Sequence, residues 1–200
     1  MDAFRTLAAE ASSELEVKGS RFLAIAAPVA DRAAAELFIG RQARAHRNPT
    51  HIVPAWRLRD GTAYSSDAGE PAGSAGAPLL AALEGAGVHD VAAVVVRWYG
   101  GVNLGVGGLV RAYGAALAGA LAAARTVERV RAVSLEVRYG HELTAAVLRT
   151  IHAHGGHEIA YAYGAQVSCR FALPASRLEA FELALRDATR GAIAARISRS

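Results

Sequence analysis

The sequence predicts an α+β protein of two consecutive domains, and three observations carry that expectation. Stretches that alternate polar and apolar residues, as half-buried strands do, are interleaved with stretches of helical period. The run Val91-AAVV-Val96 is apolar throughout, the pattern of a strand covered on both faces. Beyond residue 131 the order becomes strand, helix, strand, strand, helix, strand, which is the ferredoxin-like order. The domains are therefore set at residues 1–130 and 131–200, and a 200-residue chain that is 52% apolar suffices for a core in each.

Glu14 to Ala30 alternates as a strand pair with Lys18-Gly19-Ser20 at its turn. Asp31 stands where a helix running to His46 needs its N-cap. A strand from Thr50 to Leu58 ends at the Asp60-Gly61 turn. After the loop Ser65-SDAGEPAGSA-Gly76, a helix over Ala77 to Glu84 leads to the buried strand. A second loop, Tyr99-GGVNLGVGGLV-Arg111, then runs into a helix from Leu109 to Ala124, and residues 125–131 are a last strand or the connection. In the second domain, strands at Val133 to Arg138, His157 to Tyr163, Ala165 to Leu173 and Ala192 to Ser198 surround helices at Glu142 to His154 and Ala175 to Thr189. Gly155-Gly156 and Gly191 end those helices, and Pro174 suits the first turn of the second. Period two puts Leu135, Val137, Val167, Cys169, Phe171, Ile193 and Ile197 on the helix-covered face, and Glu136, Arg138, Ser168, Arg170 and Arg196 on the open one.

The net charge is +4, and its excess lies after residue 130, where nine basic residues face six acidic ones. Only Lys18 is lysine; the other cations are arginines, whose planar fork suits phosphate or carboxylate, although a GC-rich genome gives the same bias. Arg138, Arg170 and Arg196 on a helix-free sheet suit RNA phosphates, and equally a solvated surface or a domain-docking face. No aromatic residue joins them in the period-two pattern, which argues against base readout in the manner of an RNA-recognition motif. The lone cysteine, Cys169, forms no internal bridge, no export signal follows Met1, and no apolar run reaches the roughly 18 residues of a membrane span. The expected location is the cytoplasm, away from membranes.

A buried strand, a glycine-rich turn and a helix N-terminus together form a device for anions, because glycines let several N–H groups converge where the helix dipole favours negative charge. The usual nucleotide signatures fail: the loop ends Gly107-Gly108-Leu109 rather than Gly-Lys-Ser/Thr, and Val110 stands where a dinucleotide fingerprint has its third glycine. A tight chain reversal is the alternative. Arg97 and Tyr99 precede the loop and Arg111 and Tyr113 follow it, while Asp67 and Glu70 lie in the other loop beside His46 and His51. The candidate set for an anionic, phosphate-bearing ligand is His46, His51, Asp67, Glu70, Arg97, Tyr99, Gly100, Gly101, Asn103, Gly105, Gly107, Gly108, Arg111 and Tyr113. Structural roles compete with it: His46 at a helix end, Asp67 and Glu70 as caps for loop amides. Neither these residues nor His152, His154 and His157 show tight metal-ligand spacing, so no metal or cofactor is expected. Ser65, Ser66 or Ser74 with a histidine and Asp67 offers the residue types of a triad without a Gly-x-Ser-x-Gly elbow. No catalytic residue is assigned; a hydrolase using the His/Asp/Glu cleft, or a surface for a protein partner, stands as the alternative to a non-enzymatic binding protein.

Three strings taken together, His46-RNPT-His51, Ser66-DAGEPAGSA-Gly76 and Val94-VVRWYGGVNLGVGGLVRA-Tyr113, resemble the YigZ-type bacterial members of the IMPACT family, and the likeness spans essentially the whole chain. The resemblance implies an N-terminal domain like the second domain of ribosomal protein S5 and a C-terminal ferredoxin-like domain similar to one in elongation factor G. It also implies a link to translation through RNA or the ribosome, since eukaryotic relatives regulate initiation through an additional N-terminal domain that this sequence does not show; their protein partner is not carried over. Two positions depart from the family pattern: its second aspartate is Ala68 here and its loop lysine is Asn103. The paired loss of one acid and one base suggests that the two face each other in relatives, and it leaves the loop to backbone amides and arginines.

Overall fold

Antiparallel pairing organises both halves of the chain. The computed structural model describes residues 2–198, which divide into Phe4–Arg129 and a second unit made of residues 130–198 with residues 2–3. In the first unit, β2 (Ala11–Val17), β3 (Ser20–Pro28), β4 (His51–Arg57), β5 (Ala63–Ser65) and β6 (Val91–Trp98) form one sheet in the order β2-β3-β6-β4-β5. Every neighbour in it is antiparallel. Helices α2 (Gly76–Gly85) and α3 (Gly105–Ala123) cover one face, burying Leu79, Tyr113 and Leu117 against Phe22, Val53 and Val95. Helix α1 (Arg32–Ala45) covers the other, with Phe38 packed among Ile25, Trp56 and Val94. Strand β6 lies central and covered on both sides, which is why its sequence is apolar without alternation.

Two short elements escape sequence patterning. β1 (Ala3–Leu7) pairs with β7 (Thr126–Val130) in a separate two-stranded ribbon, and β5 holds only three residues. The predicted helix start at Leu109 is corrected: α3 begins at Gly105, so Gly105, Gly107 and Gly108 belong to its first turn rather than to a loop. By length and composition α3 is apolar enough to cross a bilayer, but its Leu109, Tyr113, Ala116 and Leu117 sit in the core.

In the second unit, β8 (Ala132–Tyr139), β9 (His157–Tyr163), β10 (Val167–Pro174) and β11 (Arg196–Ile197) form an antiparallel sheet ordered β11-β8-β10-β9, the ferredoxin-like arrangement. Helices α4 (Thr144–Ala153) and α5 (Leu178–Ala188), each entered through a 3-10 turn, bury Val147, Ile151, Phe181 and Leu185 against Leu135, Val137, Cys169 and Phe171. Burial pushes the Cys169 thiol up to about 11, so it stays protonated and unreactive at neutral pH. The last strand is shorter than its pattern predicts. Ile197 registers with Leu135 on the helix side yet is 67% exposed, because the strand ends at the sheet edge.

Candidate functional site

The two loops of the first unit are joined by a buried polar network. Arg97, last but one in β6, donates from Nη1 to Glu70 Oε1 at 2.6 Å, and Tyr113 Oη of α3 donates to the same oxygen at 2.7 Å. All three side chains are buried, and the Arg97 guanidinium lies 5.6 Å from the centres of both the Phe22 and Tyr99 rings. Burial, and then the Glu70 carboxylate it faces, raise the Tyr113 phenol far above its ordinary range, so it keeps the proton it donates to Glu70. His51 gives its Nδ1 hydrogen to the Ala68 carbonyl at 2.8 Å, which leaves Nε2 4.0 Å from Glu70. Ala68 itself is held at φ +50, a left-handed conformation that asparagine and aspartate adopt more readily than alanine.

These distances correct the expectation that Arg97 and Tyr113 flank an open cradle. Their polar groups face Glu70 inside the fold, and among the four flanking residues Tyr99 and Arg111 are the ones left exposed. Asp67 also turns inward, accepting from the amides of Gly73 at 2.8 Å, Gly76 at 2.8 Å and Ala75 at 3.0 Å. It thereby anchors the start of α2, and those backbone donors, Gly73 foremost, hold its carboxyl below the usual carboxylate range. His46 lies apart from this group: it meets Gln42 at 3.3 Å and packs edge-on against Trp98.

No triad assembles from the predicted members. Ser74 is buried and bonds the Pro71 carbonyl, Ser66 Oγ accepts from the Ala68 amide, and Asp67 faces amides rather than a histidine. His154 and His157 bond nearby carbonyls of Thr150 and Gly155. Among the described residues there is no group of three potential metal ligands.

The glycine loop divides into an architectural part and an open part. Gly100 packs directly on the β2–β3 turn, where an added Cβ would lie 1.9 Å from the Gly19 carbonyl carbon, so only glycine fits. The Tyr99 and Gly100 amides are taken by the hydroxyls of Thr50 at 2.8 Å and Ser20 at 3.1 Å. The N–H groups of Gly101, Val102, Asn103 and Leu104 meet no acceptor among the described residues. Helix α3 starts without a side-chain cap and without an acid in its first turn. Asn103 accepts from the Tyr99 hydroxyl at 3.3 Å. Beside this end lies a groove of about 310 Å³ with an apolar floor that includes Leu15, Val17 and Leu104, bordered by Lys18 and Arg111. Lys18 was not a sequence candidate; its turn position gives no linear signal of nearness to Arg111.

In the second unit the open sheet face gathers the three predicted arginines around one acid. Arg170 of β10 and Arg196 of β11 stand directly opposite Glu136 of β8 from its two sides, and Arg138 lies two residues along the same strand. Glu136 accepts from Arg138 Nε at 2.7 Å and Ser168 Oγ at 3.1 Å, and those bonds hold its carboxyl below the usual range. Arg170 and Arg196 have no hydrogen-bond or ion-pair partner among the described residues. Two depressions open there, about 580 Å³ beside Arg196 and about 240 Å³ beside Arg170.

With both sites described, comparison with known proteins adds the lineage. The Impact N-terminal domain matches residues 18–121, and a domain of unknown function (DUF1949) matches residues 137–192. IMPACT family member YigZ of Escherichia coli is 37% identical over 199 residues, 96% of this chain and 97% of its own. IMPACT family member YvyE of Bacillus subtilis is 34% identical over 64% of this chain and 60% of its own, and the Saccharomyces cerevisiae Protein IMPACT homolog is 36% identical over 48% and 39%. A solved structure described only as that of a hypothetical protein superposes with a TM-score of 0.71 at 33% identity, covering 100% of this chain and 99% of its own. The chain is thus a two-domain α+β protein, and it belongs to the IMPACT family.

Proposed function

We propose that this protein is a non-enzymatic binding protein that contacts RNA, free or in the ribosome, through the open sheet face of its second domain. The observation that carries the proposal is the arrangement of Arg138, Arg170 and Arg196 about Glu136, which pairs with Arg138 and leaves the Arg170 and Arg196 side chains without partners among the described residues. Adjacent strands lie about 4.8 Å apart, so Arg170 and Arg196 flank Glu136 from the two neighbouring strands and Arg138 stands two residues along β8, a cluster of guanidinium groups suited to backbone phosphates. Arginine binds phosphate with a planar fork, which suits such contacts. The link to translation rests on the family resemblance. Titration with labelled RNA tests the face: the double change Arg138→Glu and Arg170→Glu lowers affinity about tenfold or more at moderate salt. Equal binding by the variant removes the sheet from this role.

A second reading is favoured by the unacceptored amides at Gly101 to Leu104 beside Lys18 and Arg111. A small phosphate-bearing anion bound there shifts those amide resonances in a titration with inorganic phosphate, and Arg111→Glu abolishes the shift. Resonances unmoved by phosphate exclude it.

A further inference from the structure

Strand β9 carries a row of aromatic rings at the edge of the sheet. Tyr163 stacks on Tyr161 with ring centres 6.1 Å apart and planes 24° apart, and His141, from the turn before α4, stacks on Tyr163 at 6.5 Å and 14°. His141 is oriented by its Nε2 contact to the Gly164 carbonyl at 3.0 Å. Register places Tyr161 opposite Cys169 and Tyr163 opposite Val167, so both turn to the helix side, but the edge position leaves them 38% and 72% exposed. On the other face β9 contributes His157, Ala160 and Ala162, and the depression that holds Arg138 and Arg170 runs up to Tyr161. Aromatic row and arginine face therefore meet along one strand.

We infer that β9 is a base-stacking edge that makes this domain selective for single-stranded over double-stranded RNA. The inference rests on the RNA reading of the arginine face and adds the form of the ligand. A single strand crossing the edge sets phosphates against Arg138 and Arg170 and lays its bases on the tyrosine faces. A duplex keeps its bases stacked inside and offers phosphates alone. Stacking needs no sequence-specific hydrogen bond, so the selectivity is for strandedness and not for base identity. The alternating Tyr161-Ala162-Tyr163 is the sequence trace of the row, and it lies on a strand absent from the open-face pattern.

The test uses the full chain and three probes: a single-stranded RNA of about 12 nucleotides, the same strand annealed to its complement, and inorganic polyphosphate as a base-free competitor. The single strand is expected to bind about tenfold tighter than the duplex, a comparison that needs no variant. Tyr161→Ala with Tyr163→Ala removes that preference and leaves competition by polyphosphate unchanged, while the corresponding double change to Phe retains it. Equal affinity for single strand and duplex, or an alanine double variant that binds the single strand as the parent does, overturns the stacking edge and leaves the arginine face standing. A change of oligomeric state in the alanine variant without a change in RNA affinity also overturns it, assigning the rings to self-association. Failure to bind any of the three probes overturns both readings at once.

Discussion

Arg97 and Glu70 show how one buried contact fixes the chemistry of a loop. The pair lies inside the first domain with side chains 7% and 3% exposed, and Tyr113 completes it from α3. Removing one member of such a pair strands the other charge in a poorly solvating environment. Arg97→Met is expected to lower the unfolding free energy by about 3 kcal/mol in a urea titration, and adding Glu70→Gln to recover part of that loss. A single variant as stable as the parent would show that the pair is not a structural keystone. Gly100 sets a different constraint, since its approach to Gly19 excludes any side chain whatever the loop binds. The residue-level answer to the glycine run is thus divided: Gly100 serves packing, Gly101 and Gly105 adopt positive φ, and the amides between them stay open.

At the scale of elements, the loop Ser66–Gly76 acts as an extended cap for α2. Asp67 accepts three amides, and its depressed folded-state value means that its stabilisation is complete above the ordinary value of 3.8 and is lost as pH falls through the folded value. Asp67→Ala is expected to cost about 1 kcal/mol near neutral pH and to flatten the fall of stability on acidification; an unchanged acid limb in unfolding curves recorded at several pH values would contradict this. Much of the architecture was legible because it depends on periodicity: the apolar β6, the Asp31 cap, confirmed by its bond to the Ala34 amide, and the open face of β8 and β10. What escaped has physical reasons. β1, β5 and the end of β11 are short or at edges, where few residues carry a pattern. The pairing of Arg97 with Glu70 joins residues 27 apart in sequence, and nothing local distinguishes a buried arginine from the exposed Arg111. The start of α3 carries no local signal because glycine is a poor helix former, and tertiary packing overrides that preference at Gly105 to Gly108.

For the whole molecule, the central claim is that the charge excess after residue 130 has a functional face. The first domain is close to neutral and buries Arg97 against Glu70; among the described residues the second leaves the Arg170 and Arg196 side chains without partners beside Glu136. Such a face binds RNA largely by releasing counterions, so the salt dependence of affinity counts the phosphates engaged. The most direct test is the slope of log affinity for single-stranded RNA against log salt. With three arginines engaged the account predicts a slope of about −2, or roughly a fifteenfold loss between 50 and 200 mM salt, and a much shallower slope for the Arg138→Glu, Arg170→Glu variant. A slope near zero, or one identical in the variant, would contradict it.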